Sequence, residues 1–177
     1  MFGHNEPIGF SPIDQFDGNG VTVIELPGHS PGMLGFGTED GVWFTGDAYL
    51  GLGYLENNIF GFVYRLDEFI ESLHRIRGLR GNMFVPGHGR TERDIAETVD
   101  RNLECIDRQL DMIKDVCSTW TGIDQLAGRM GEIYRLPEDT GYNAMVYFNL
   151  RNYLSYLQDI DELQCRLEDR VMKWCIK

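Results

Sequence analysis

The chain has 177 residues, 42% hydrophobic and 12% aromatic, enough to bury a core in one ordinary domain or two small ones. Its formal net charge of −12 opposes contact with phosphate backbones, which counts against nucleic acid as a main partner. No apolar run reaches membrane-spanning length, and residues 1–10, with Glu6, Pro7 and no basic start, do not read as a signal peptide.

Residues 21–26 (VTVIEL), 33–36 and 42–45 (VWFT) read as short strands separated by glycine-rich turns, with a hairpin turn at Glu39-Asp40-Gly41. A looser segment, 48–63, holds three glycines with Tyr49, Tyr54 and two phenylalanines. "LDEFIESLHRIRGL", from Leu66, repeats Phe69, Ile70, Leu73, Ile76 and Leu79 at helical spacing, with Asp67 the expected N-cap. "NMFVPGHG", 82–89, is a strand entering a turn.

From Thr91 glycine thins out, and an amphipathic helix is expected to about Cys117, with Ile95, Val99, Leu103, Ile106, Leu110 and Ile113 on one face. A second helix follows Thr121-Gly122 over about 123–134, and a third is expected to start at Pro137 and reach about Leu157. "DELQCRLEDRVMKWCI" reads as two short strands about a turn at 168–170. Three helices with a small hairpin suggest a winged-helix-like module, which divides the chain into 1–96 and 97–177.

Three pieces carry chemistry: "PGHSPG" with His29, "FTGDA" with Asp47 and "VPGHG" with His88. Each places a potential metal ligand just after an apolar strand, in a turn whose Pro and Gly set the backbone. Two imidazoles and a carboxylate suit zinc, iron or manganese. A carboxylate among imidazoles can bridge two cations, and paired metals activate a shared water for hydrolysis.

In this order, with a helix between the second and third, the pieces resemble the second half of the metallo-β-lactamase superfamily. That resemblance covers roughly residues 15–95. It implies an α/β fold, a mixed sheet with flanking helices that forms half of an αββα sandwich. The helices and hairpin after it resemble the winged-helix-like tail of some members. It also implies roles: His29 a ligand of the first metal, Asp47 the carboxylate bridging both metals and orienting the hydroxide, and His88 a ligand of the second. The implied function is hydrolysis of small esters, thioesters or lactones by a metal-bound hydroxide. The superfamily's His-x-His-x-Asp-His signature is absent from this sequence. The metal, zinc before iron or manganese, is thus expected to be incompletely coordinated by this chain, and the isolated chain to turn over little substrate.

One sheet of a two-sheet sandwich leaves a bare face. A missing N-terminal half or a second copy of the chain is the expected cover, beside a small-molecule substrate. The alternative is an inactive half-domain that works as an assembly or binding module. The other residues read as structural. His4 lies in a loose terminus and His74 on a helix surface. Cys105, Cys117, Cys165 and Cys175 show no paired spacing, so reduced thiols in a cytoplasmic protein are expected. The aromatics of "YFNLRNYLSYL" form a core stripe, and Arg166, Arg170 and Lys173 are interleaved with acids on a solvated surface.

Overall fold

The computed structural model describes residues 18–55 and 61–177, so the readings of residues 1–10 and of His4 fall outside the described residues. β1 (Val21–Glu25), β2 (Leu34–Thr38), β3 (Val42–Gly46) and β4 (Met83–Pro86) form one sheet in that order. The first two pairings are antiparallel and the third is parallel. Gly41 takes φ +82° in the tight turn between β2 and β3. A parallel neighbour needs a crossover, and α2 (Leu66–Arg77) lies in it. A single helical turn, α1 (Leu52–Leu55), precedes it in the segment expected to be irregular.

The two sheet faces differ. On one, the Trp43 ring lies over Gly37, where a Cβ would meet it at 2.8 Å, and Thr45 and Phe84 are buried. On the other, the register aligns Val23, Phe36, Phe44 and Val85 in one row across all four strands. Phe36 and Phe44 in that row are 36% and 48% exposed, so this face is apolar and open in the chain as it stands.

Asp67 is the expected cap of α2, but the N-cap is Arg65, which is extended and makes no side-chain cap. Asp67 sits in the first turn, where its carboxylate pairs with the Arg65 guanidinium and is held below its ordinary pKa by that bond. Negative charge is favourable there as well. Leu66, Phe69, Leu73 and Ile76 bury one face of the helix.

α3 (Ile95–Val116) is capped by Asp94, α4 spans Ile123–Tyr134, and α5 (Thr140–Asp159) is capped by Asp139. Pro137 therefore precedes α5 rather than opening it, because the Asp139 carboxylate accepts from Tyr142 N–H and fixes the start two residues on. β5 (Thr121–Gly122), β6 (Leu163–Glu168) and β7 (Val171–Ile176) make a small sheet in the order β5-β7-β6. Asp169 and Arg170 both take positive φ, the left-handed pair that matches the twist of a two-residue hairpin.

A single core runs through the described residues, from Leu26, just past β1, and Phe84 of β4 to Trp174 of β7. Tyr153 is buried in it, while His74 is exposed. All four cysteines are free thiols, and among them Cys117 is buried.

Two asparagines tie the helices to the loops. Asn102 of α3 accepts from Leu50 N–H (3.0 Å) and donates to Leu50 O (2.8 Å). Asn149 of α5 accepts from Val63 N–H (3.1 Å) and donates to Gly61 O (2.9 Å). Asn102→Ala would strand two buried backbone groups, so urea denaturation should show a loss of about 2 to 4 kcal/mol. Burial pushes the Cys117 thiol from 9.0 up to about 11. A raised folded-state pKa favours folding below the unfolded value, and that advantage is lost as pH rises. The stability gap between wild type and Cys117→Ala, measured in urea, should therefore shrink between about pH 9 and pH 11.

Candidate metal centre

β1, β3 and β4 run in the same direction, and His29, Asp47 and His88 each follow the end of one of them. The three side chains therefore come to one edge of the sheet.

The His29 turn is built against α2. Leu26 N–H donates to Met33 O at 2.8 Å and closes the loop. Ser72 Oγ donates to Pro27 O at 2.6 Å, and Arg75 Nη1 to Glu25 O at 3.1 Å. Gly28 has φ +122°, and a Cβ there would lie 2.2 Å from the Phe69 nitrogen, so only glycine lets the turn seat on the helix. The Gly28 carbonyl accepts from both Tyr64 N–H and Arg65 N–H, at 2.8 and 2.9 Å.

The Asp47 and His88 turns are locked to each other. Gly87 N–H donates to Gly46 O at 2.7 Å, and a Cβ on Gly87 would lie 2.5 Å from Asp47 Oδ1. Gly89, at φ +114°, packs on Gly51, whose N–H donates to His88 O at 3.3 Å. The Tyr54 ring of α1 faces the His88 imidazole, with centroids 5.7 Å apart.

The Asp47 carboxylate stands between the imidazoles. Its Oδ1 accepts from His88 Nδ1 at 2.6 Å, and its Oδ2 lies 3.5 Å from His29 Nε2. His29 Nδ1–H donates to the Phe62 carbonyl at 2.8 Å. That bond assigns the ring proton to Nδ1, so in the neutral ring the Nε2 lone pair faces a carboxylate oxygen. Two acceptors at that separation repel unless a proton or a cation lies with them. The outward carbonyl bond is also the second-layer arrangement that orients metal-binding histidines.

The side chains of His29 and Asp47 are 23% and 19% exposed, and that of His88 is 63% exposed, so the centre opens on the His88 side. The donor types and their orientation fit a divalent transition metal in part. Among the described residues, no group of three or more His, Cys, Asp or Glu side chains is arranged to hold a metal ion.

Beside α1 lies a cleft of about 480 Å³, lined by Leu52, Leu55, Arg101, Cys105, Arg108 and Tyr134 among others. Sequence reading missed this cleft, the Phe62 carbonyl and the two loop-binding asparagines. A backbone acceptor carries no residue signature, and the asparagines lie far along the chain from their partners. Gly28→Ala should lower stability by roughly 3 kcal/mol in thermal unfolding, from strain and collision with α2. Gly32→Ala, with open space around it and φ +66°, should cost only about 1 kcal/mol.

No protein-family model matches the sequence, and neither does any curated protein. Solved structures do. A beta-lactamase domain protein from Burkholderia ambifaria superposes with TM-score 0.74 at 20% identity, covering 89% of this chain and 48% of that one. A metallo-beta-lactamase family protein from Thermus thermophilus gives TM-score 0.67 at 18% identity, covering 89% of this chain and 49% of that one. The chain is thus a mixed α/β protein of metallo-β-lactamase fold that spans about half the length of these neighbours.

Proposed function

We propose that this chain, which carries the metallo-β-lactamase fold over about half the length of its structural neighbours, supplies half of the metal centre of a metal-dependent hydrolase. The observation that carries the reading is the His29–Asp47–His88 arrangement, with a carboxylate held between two imidazoles and the His29 lone pair turned toward it. His29 and Asp47 would hold one cation, with Asp47 and His88 toward a second. Zinc is the first candidate, with iron or manganese behind it. When bound, such cations supply an activated water and a Lewis acid for the substrate oxygen.

The protein's own part is to hold these donors. The Phe62 carbonyl keeps the His29 ring turned, Gly87 lets the His88 turn lie against Asp47, and Asp47 Oδ1 accepts a hydrogen bond from His88 Nδ1–H. The substrates are small esters, thioesters or lactones, and the cleft beside α1 has the volume of a small-molecule site. The remaining ligands come from a first half-domain, supplied in the same longer protein or by another chain. That half also covers the open row of Val23, Phe36, Phe44 and Val85. Residues 97–177 are a winged-helix-like module, and the location is cytoplasmic. Among the described residues no helix is long and apolar enough to cross a membrane.

The test is native mass spectrometry of the protein purified from its source, paired with the Asp47→Ala variant. Two transition metals in an assembly containing this chain, and at least a hundredfold loss of ester hydrolysis in Asp47→Ala, are expected. Full activity in the variant would remove the reading.

The open apolar row also favours a second reading, a half-domain that works by docking alone. Phe44→Asp should then release the bound partner or second copy in size-exclusion chromatography. A metal-free assembly broken by this substitution would favour docking over catalysis.

A further inference from the structure

We propose that Asn149, in the C-terminal helix α5, is a positioning residue for His29 that, through the Phe62 carbonyl, holds the ring proton on Nδ1 and leaves the Nε2 lone pair toward Asp47. The proposal rests on the reading of His29 as a metal ligand. Its physical content, the orientation and protonation of one ring, stands apart from any activity.

The chain of contacts is short. His29 Nδ1–H donates to the carbonyl of Phe62. Both residues flanking Phe62 are held by Asn149, whose Oδ1 accepts from Val63 N–H and whose Nδ2 donates to Gly61 O. One turn further along α5, Asn152 Nδ2 donates to Val63 O at 2.7 Å. Three bonds from one helix thus fix residues 61–63. A segment pinned at the residue before and the residue after cannot rotate the carbonyl between them without breaking one of those bonds.

The side chains repeat the connection. The Phe62 ring meets the His29 imidazole edge-on at 5.5 Å, and it stacks on Phe148 of α5 at 4.7 Å with an interplanar angle of 15°. Phe148 directly precedes Asn149, so α5 grips Phe62 by ring and by backbone.

Asn149 is fully buried, and its amide bonds run to backbone. Burying an amide is costly unless both its ends are paired, and an apolar residue would fill a helix-packing position at less cost. Here the amide serves one segment, the one that orients His29. Without it, the segment carrying the Phe62 carbonyl loses two of the three bonds that aim it. The imidazole then has a better option, because an Nε2–H tautomer can donate to Asp47 Oδ2, which already lies 3.5 Å away. That tautomer would put a proton where a cation should bind.

The experiment reads the ring in the metal-free chain by two-bond proton–nitrogen correlation NMR of His29 at pH 8. Wild type should show a protonated Nδ1. Folded Asn149→Ala should lose most of that population to the Nε2–H form. Asn152→Ala, which removes only one of the three bonds, should move in the same direction by less, and it decides the matter if Asn149→Ala does not fold. Leu126→Ala opens a cavity in α4 of the same core and controls for general loosening, so it should leave the His29 signal at its wild-type position.

An unchanged Nδ1 proton in the folded Asn149 and Asn152 variants, or an equal shift in Leu126→Ala, overturns the proposal. In the metal-loaded assembly, Asn149→Ala should weaken zinc affinity about 10- to 100-fold, the scale of outer-layer partners. A tautomer shift in a protein that binds no metal would leave the orientation standing and remove the hydrolase reading. An unmoved ring in a working hydrolase would do the reverse.

Discussion

Backbone that turns near a protein's core must pair its polar groups, and two buried side-chain amides meet that demand here. Leu50 and residues 61–63 lie against helices that cannot offer them main-chain partners, since those partners are spent within the helices. Asn102 and Asn149 take the place of strands, each accepting one N–H and donating to one carbonyl of the loops. Remove those pairings and the loops have no reason to lie where they do. Asp47 is three residues before Leu50, and His29 leans on Phe62, so the cluster of His29, Asp47 and His88 inherits its geometry from these two amides.

This arrangement explains why the helices after residue 95 belong to the same core as the first sheet. Their contribution near the centre is orientation. The strands deliver three donors to one edge, α2 seats the His29 turn, and α3 and α5 fix the loops behind it. The sheet's covered face meets this helical layer, while the face bearing Phe36 and Phe44 is exposed.

Much of this was legible in the sequence because the signals are local. An apolar run ending in Pro-Gly-His announces a strand followed by a shaped turn, and His29 and His88 are found that way. Asp47 is legible through its strand and its glycine. The helical stripes of α2 and α3 follow from spacing alone. What escaped depends on distance or on backbone. The Asn149 bond to Val63 joins residues 86 apart, and an asparagine within a helix otherwise signals little. The Asp67 cap failed because its carboxylate found the Arg65 guanidinium, a stronger partner than a helix N–H.

The length of those connections bears on the order in which the protein is made. The hairpins of β1, β2 and β3 can close soon after they are synthesised, since their pairings are local. Asp47 and His88 are 41 residues apart in sequence and meet only once β4 has joined β3. Phe62 is gripped later still, when α5 has emerged and docked. A nascent chain therefore holds its strands well before it brings His29, Asp47 and His88 to their final places. The setting of His29 is thus completed by a helix synthesised long after it.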